Sequence, residues 1–316
     1  MSDRLIIGTR GSKLALAQAE SVRHMLLELH PELEVELQII KTKGDVLIDR
    51  PLSAIGDKGL FVKEIEAALL AGQVDLAVHS CKDLPSMDPP GLVLAAFPRR
   101  ADPRDALIAR SARSLADLPL GARVGTSSLR RACQLRAFRP DLVVDMLRGN
   151  VDTRLRKLQE DGYDAIVLAV AGLQRLGLER VISEVLDPSV MLPAVAQGAL
   201  AVQCRAGDER TIRLLAPLDH FPTRCAVLAE RALLRRLEGG CQVPIGAYAT
   251  LDEDAEQLVL RGMLGTPDGR MLVQGRRIGP PAAAEALGTE LAEELLLRGG
   301  REILAMVAAK QATAQE

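Results

Sequence analysis

Aromatic residues are scarce in this 316-residue chain: they make up 2%, with two Tyr, four Phe and no Trp. Without stacking platforms, recognition of single-stranded nucleic acid is not expected. Hydrophobic residues still reach 48%, so the cores must be built from Leu, Val, Ile and Ala. Charge of one sign is lacking too. Lys plus Arg number 40 against 42 Asp plus Glu, a formal net charge of −2. Any anion site must therefore come from local clustering. No apolar run reaches membrane-spanning length, and the charged start M-S-D-R-L-I-I-G-T-R does not read as a signal peptide. The cysteines Cys81, Cys133, Cys204, Cys225 and Cys241 are odd in number and form no C-x-x-C. That argues against a disulfide framework and a zinc site. No metal is expected, and a reducing, cytoplasmic compartment is. The absence of G-x-x-x-x-G-K-[ST] and G-x-G-x-x-G leaves nucleotide binding unsupported.

What is there is a duplicated α/β pattern. Residues 5–18, L-I-I-G-T-R-G-S-K-L-A-L-A-Q, and 122–134, A-R-V-G-T-S-S-L-R-R-A-C-Q, each read as a short apolar strand, a Gly-Thr pair and a hydroxyl-rich turn opening a helix. A second strand follows each (30–40 and 139–147), then a helix (61–72 and 151–162), then a third strand (74–80 and 163–170). Strands alternating with helices predict parallel sheets, and two matching halves predict two similar domains facing each other. The charged, proline-bearing stretch at 98–105 marks their boundary. Beyond P-L-D-H-F-P-T at 217–223 the pattern changes to a helix at 223–237, strand-like segments such as 257–264 and a terminal helix from about 281: a third, α+β domain. The weakly periodic segment 43–59 reads as a long loop, either a lid or a plain surface connection.

In open parallel sheets, ligands bind beyond the carboxyl ends of the strands, where helix N-termini also favour anions. Both Gly-Thr turns lie there, with Thr9, Arg10 and Ser12 in one half and Thr126, Ser127 and Ser128 in the other. Ser and Thr are ordinary N-caps, but two such turns with adjacent arginines favour an anion site. Between 123 and 157, Arg123, Arg130, Arg131, Arg136, Arg139, Arg148, Arg154, Arg156 and Lys157 outnumber Asp141, Asp145 and Asp152. Arg130, Arg131 and Arg154 fall in first helical turns, where the macrodipole disfavours cations. An external anion, phosphate or polycarboxylate, would offset that cost, and guanidinium forks suit either. Arg136, Arg139 and Arg156 read as solvated. The third strand of the first half ends in H-S-C-K-D-L-P, residues 79–85. Pro85 signals a turn that lets Lys82 and Asp83 both meet a ligand. Asp83 is either a cap or, the favoured reading, an acid/base or cation-stabilising group, kept ionised by Lys82.

The stretch L-E-G-G-C-Q-V-P-I-G at 237–246 places Cys241 on the tip of a turn, after two glycines and before Pro244 and Gly246. It follows, in order, I-G-T-R-G-S-K-L-A, G-D-K-G-L-F-V-K-E, H-S-C-K-D-L-P, V-G-T-S-S-L-R-R, L-R-G-N-V-D-T-R and Y-D-A-I-V-L-A-V-A-G-L-Q-R-L. Through these motifs the chain resembles the porphobilinogen deaminase (hydroxymethylbilane synthase) family from about residue 5 to 250.

The resemblance implies three α/β domains, the first two similar doubly wound sheets of periplasmic-binding-protein type. They would span 1–99 with about 200–216, 100–199, and a small α+β domain at 217–316. It implies a dipyrromethane cofactor held through a thioether to Cys241. On that primer, four porphobilinogen molecules would condense head to tail, each losing ammonia to give an azafulvene. Hydrolysis would release hydroxymethylbilane, which passes to uroporphyrinogen III synthase. Asp83 matches the family's catalytic aspartate, with Lys82 beside it. Arg10, Ser12, Lys82, Thr126, Ser128, Arg130, Arg131, Arg148, Arg154 and Arg175 match positions that contact cofactor or substrate carboxylates. Lys58 and Phe61 match the edge of a mobile loop, and Gln197 lies in the matching P-A-V-A-Q-G segment. A monomer without nucleic-acid or membrane partners is expected. Two residues depart from the family pattern: Cys81, where methionine is common, and Asp152, where glycine is common. A non-catalytic anion receptor would explain the duplication and the arginines, but not Cys241. A cysteine-nucleophile enzyme pairing Cys241 with His79 or His220 has no local signature.

Overall fold

The computed structural model describes residues 4–42, 62–237, 243–252 and 254–313. The segment 43–59, Lys58, Phe61 and Cys241 lie outside the described residues. The chain divides into two compact units, one of Met1–Ala101, Arg175–Gly177 and Gly198–Arg224, the other of Asp102–Gln174, Leu178–Gln197 and Cys225–Glu316.

The first ten strands are β1 (Arg4–Thr9), β2 (Glu34–Ile39), β3 (Leu76–Ser80), β4 (Leu92–Ala96), β5 (Asp105–Ala109), β6 (Arg123–Gly125), β7 (Val143–Asp145), β8 (Ala165–Ala169), β9 (Glu184–Val185) and β10 (Leu200–Arg205). They form two five-stranded sheets, ordered β2-β1-β3-β10-β4 in the first unit and β7-β6-β8-β5-β9 in the second. The two orders correspond strand for strand. β1 is parallel to β2 and β3, as β6 is to β7 and β8. The sheets are not parallel throughout, however: β10 runs antiparallel to β3, and β5 antiparallel to β8. The duplicated sequence pattern covers only the three parallel strands. The antiparallel strand joins one sheet before its repeat begins, as β5, and the other long after its repeat has ended, as β10.

The central parallel strands β1, β3, β6 and β8 are largely buried and read as apolar runs, whereas the edge strands β2 and β7 are largely exposed or half-buried. In the first unit, one face packs Leu5, Ile7, Leu76 and Val78 with Val22 and Leu26 of the helix Lys13–Leu29. The other face packs Val74 and Ala77 with Ile65 and Leu69 of the helix Lys63–Leu70. In the second, Val124 and Leu135 share one core and Ile166, Leu147 and Leu158 another. The glycine of each Gly-Thr pair has a packing reason. A Cβ on Gly8 would lie 3.1 Å from Val74, and one on Gly125 would lie 3.0 Å from Leu147, closer than a well-packed core accommodates without shifting.

The rest of the second unit is an antiparallel meander, β11 (Ile245–Asp252), β12 (Gln257–Gly265) and β13 (Leu272–Gly279), with helices Phe221–Arg236 and Ala284–Leu295. The terminal helix expected from about 281 is two helices: Ala284–Leu295, after a tight turn over Pro281–Ala283, and Arg301–Thr313, separated by a kink at Gly299, φ 108°. Buried Glu230 accepts the backbone N–H of Ala196 at 2.6 Å and of Ala249 at 2.8 Å. It thereby ties β11 to the segment ahead of β10, where Ala196 adopts φ 56°, a conformation that non-glycine residues hold only under constraint. Glu230→Leu strands two buried donors, each otherwise bonded to a charged acceptor. It is expected to cost about 3–5 kcal/mol of unfolding free energy. Urea denaturation checks this, and a loss below about 1 kcal/mol would show that the carboxylate is not what holds the turn. Among the described residues, no helix is long and apolar enough to cross a membrane.

Candidate active site

At the carboxyl end of β3 the chain tightens into a single turn, Cys81–Asp83. The turn is pinned at several points. Gln18 Nε2 donates to Ser80 Oγ at 2.7 Å, Cys81 N–H to Ala199 O at 3.0 Å, and Leu84 N–H closes onto Cys81 O at 3.2 Å. Cys81 points into the core, while Lys82 and Asp83 are exposed. The turn breaks strand alternation and puts both charged groups outside, as Pro85 suggested. The neighbouring strand β1 ends in Thr9, and the next turn carries half-buried Arg10 and then Ser12. Ser12 Oγ caps the following helix by accepting Ala15 N–H at 3.2 Å, and buried Thr9 Oγ1 donates to Ala15 O at 3.2 Å. Arg175 is half-buried in the same unit and donates to Gly198 O at 2.7 Å. Burial pushes its guanidinium down to about 10, so it stays charged at neutral pH.

The second unit repeats the arrangement. Ser128 Oγ caps the helix Leu129–Phe138 through Arg131 N–H, and Thr126 Oγ1 accepts Ser128 N–H at 3.2 Å. Arg148 follows the end of β7. Arg154 turns back, its Nε donating to Gly149 O at 2.7 Å, and Asn150 caps the helix Val151–Glu160 through Thr153 N–H at 2.9 Å. Thr126, Ser128, Arg148 and Arg154 thus stand beyond the carboxyl ends of β6 and β7.

At Arg130 and Arg131, where the sequence suggests an external anion, the structure places an internal one. Asp105 is fully buried and accepts from Arg130 Nη1 at 2.7 Å and from Arg131 Nη2 at 2.7 Å. Gln197, also buried, donates to Asp105 Oδ1 at 2.9 Å and to Pro103 O at 2.7 Å. Burial alone would raise the Asp105 carboxyl; the two guanidinium charges and these hydrogen bonds outweigh it and hold the group well below the usual carboxylate range. Arg136 and Arg139 are not solvated either. Arg136 Nη1 donates to Pro267 O at 2.7 Å, and Arg139 is paired with Asp141 at 2.7 Å while bonding Leu115 O. Arg156 does lie on an exposed face. Asp105 was missed in the sequence because it sits in a charged stretch that reads as a linker. The signal for it is a carboxylate directly heading the apolar run A-L-I-A.

His79 is a core histidine, bonded through Nε2 to Gln203 Oε1 at 3.1 Å. Burial pushes its imidazole down to about 4, with Arg10 adding to the effect and Gln203 opposing it. Between pH 6.5 and 4 the unfolded chain therefore takes up a proton that the folded chain refuses. Stability is complete above 6.5 and is lost as pH falls towards 4, by about 3 kcal/mol for this group. Thermal melts from pH 7 to 4 should fall less steeply for His79→Gln than for the natural chain; parallel curves would exclude His79 as the cause. The described cysteines Cys81, Cys133, Cys204 and Cys225 are all free and buried.

The family model described as porphobilinogen deaminase, dipyromethane cofactor binding domain, matches residues 5–213, and the porphobilinogen deaminase C-terminal domain matches residues 224–297. The chain belongs to the porphobilinogen deaminase family. Family members named porphobilinogen deaminase from Roseiflexus sp. (strain RS-1) and Roseiflexus castenholzii (strain DSM 13941 / HLO8) are 62% and 61% identical over 305 residues, covering 96% of this chain and 100% of each relative. The family's dipyrromethane-binding domain thus includes both strand-end sets of residues, apart from those outside the described residues. Among solved structures, the chain is similar to the periplasmic aliphatic sulphonate binding protein SsuA from Escherichia coli, with 18% identity, TM-score 0.39, and 75% of this chain and 71% of that one covered. It is also similar to the methionine binding protein MetQ, with 14% identity, TM-score 0.42, and 68% and 89% covered.

Proposed function

We propose that this protein is a hydroxymethylbilane synthase, a transferase that deaminates porphobilinogen and joins four of its units head to tail on a bound dipyrromethane, then releases the linear tetrapyrrole. One observation carries the reading: in a chain of this family, an exposed carboxylate, Asp83, stands on a pinned turn at the end of a largely buried strand. The residues present fit the cofactor. A pair of linked pyrroles bearing acetates and propionates needs several cations at strand and helix ends. Arg10, Arg148, Arg154 and Arg175 are half-buried at strand or helix ends, with the capped turns at Ser12 and Ser128 supplying backbone donors. When bound, the dipyrromethane supplies a nucleophilic pyrrole carbon, and we assign its attachment to Cys241.

Asp83 accepts pyrrole N–H groups and stabilises the positive charge that develops on the substrate as ammonia leaves. Lys82 beside it pairs with a substrate carboxylate. Thr126 orders the Ser128 turn, and Gln197 braces Asp105. The segment 43–59, with Lys58 and Phe61 at its edge, acts as a lid. We also assign three domains, at 1–99 with about 200–216, 100–199 and 217–316; the separate three-stranded sheet of the last supports this division. Hand-off of product to uroporphyrinogen III synthase and action as a cytoplasmic monomer follow from the family reading, and the free buried thiols suit a reducing compartment.

Incubation with porphobilinogen should yield a linear tetrapyrrole that cyclises to uroporphyrinogen I, and intact-mass spectrometry should find a two-pyrrole adduct on the purified chain. An unmodified chain that leaves porphobilinogen untouched would end the proposal.

A further inference from the structure

Two guanidinium groups share one carboxylate inside the second unit. Arg130 and Arg131 are 4% and 5% exposed and Asp105 is 0% exposed. Arg131 is fully engaged: Nε and Nη2 both donate to Asp105 Oδ1, at 3.0 and 2.7 Å, and Nη1 donates to Val167 O at 2.9 Å. Arg130 is held by Nη1 alone, which donates to Asp105 Oδ2 and to Leu192 O, each at 2.7 Å. Its Nε is buried without a hydrogen-bond partner among the described residues. Among the described residues, the charges acting on Arg130 are those of Asp105 and Arg131, so these three side chains carry one positive charge in excess. An uncompensated buried charge is costly, and so is a buried donor left unbonded. Both deficits are met by one added carboxylate and by no more than one.

We propose that Asp105 is the positioning residue of this arginine pair, and that by neutralising one guanidinium it sets the pair's capacity at a single pyrrole-borne carboxylate. The inference rests on the reading of the protein as a pyrrole-condensing enzyme. Occupancy then follows the net charge of the cluster: plus one in the natural chain, zero in Arg131→Met, plus two in Asp105→Asn, and plus one again when both changes are made.

The test measures how fast each chain, produced in cells unable to make porphobilinogen and so purified without the two-pyrrole adduct, gains it from porphobilinogen, by intact mass, alongside its melting temperature. Arg131→Met should slow loading about 30-fold, a loss typical of breaking a buried charge pair. Its melting temperature should fall, because three buried hydrogen bonds are lost, so loading is compared well below the melting temperature of every variant. Adding Asp105→Asn to Arg131→Met should restore at least about tenfold of the lost rate by returning the excess charge. A double variant at or below Arg131→Met would overturn the proposal, because a merely structural aspartate adds its damage. So would unchanged loading by folded Arg131→Met alone, an outcome readable even where Asp105→Asn does not fold. If the natural chain itself gains no adduct, the functional reading fails instead.

Discussion

Asp83→Ala should lower kcat for tetrapyrrole formation about a thousandfold while leaving the melting temperature unchanged. The magnitude is that of removing a preorganised electrostatic or proton-transfer group from a reacting centre. The unchanged stability follows from the position. Asp83 is exposed, and the turn that carries it is fixed by Gln18, Ala199 and its own backbone, none of which involves the carboxylate. The substrate gains positive charge as ammonia departs, so the decisive property is the negative charge, not the shape. Asp83→Asn keeps the shape and one acceptor but loses the charge, and should be nearly as slow as alanine. Steady-state rates with porphobilinogen, read beside the adduct content of each variant, separate slow chemistry from missing primer. An asparagine variant keeping more than about a tenth of the natural rate would mean that hydrogen bonding, not charge, is what Asp83 supplies.

The duplication was legible because its elements obey local rules. Central parallel strands, largely buried, leave apolar runs, and Ser12, Ser128 and Asn150 stand where N-caps belong. The strand-to-helix turns that carry the candidate residues were legible too, since such turns at carboxyl ends are found by reading in order. What escaped were pairings between distant parts of the chain. The sheet was read as parallel because β10 is some 120 residues from the strand it joins, Leu200 opposite Ser80, and no local pattern records that. The internal counterion of the arginine cluster escaped for the same reason. Arg130 and Arg131 look uncompensated at a helix start, yet their counterion lies 25 and 26 residues earlier in a stretch that resembles a linker. Apparent charge imbalance along a sequence is therefore a weak guide to ligand charge. Here only one of two buried guanidinium charges is left over.

Cys241→Ala should abolish the two-pyrrole adduct and reduce turnover by about three orders of magnitude or more. A tether makes each condensation intramolecular, and well-oriented intramolecular steps gain effective molarities far beyond any free primer concentration. The other thiols are poor substitutes. Cys81, Cys133, Cys204 and Cys225 are buried, and burial pushes the thiol of Cys133 up to about 12 and that of Cys204 up to about 11. At neutral pH a thiol near 12 is thiolate in roughly one molecule per hundred thousand, and the thiolate is the nucleophile. Loading should therefore not move to a second cysteine. The stems of the segment carrying Cys241 are fixed independently of its sulfur, by the helix Phe221–Arg236 on one side and by β11, bonded to Pro193 O and Glu230, on the other. The variant should fold as the natural chain does, which makes the mass measurement decisive. An adduct of unchanged mass and yield on the Cys241→Ala chain would place the primer elsewhere and remove the tether from the mechanism.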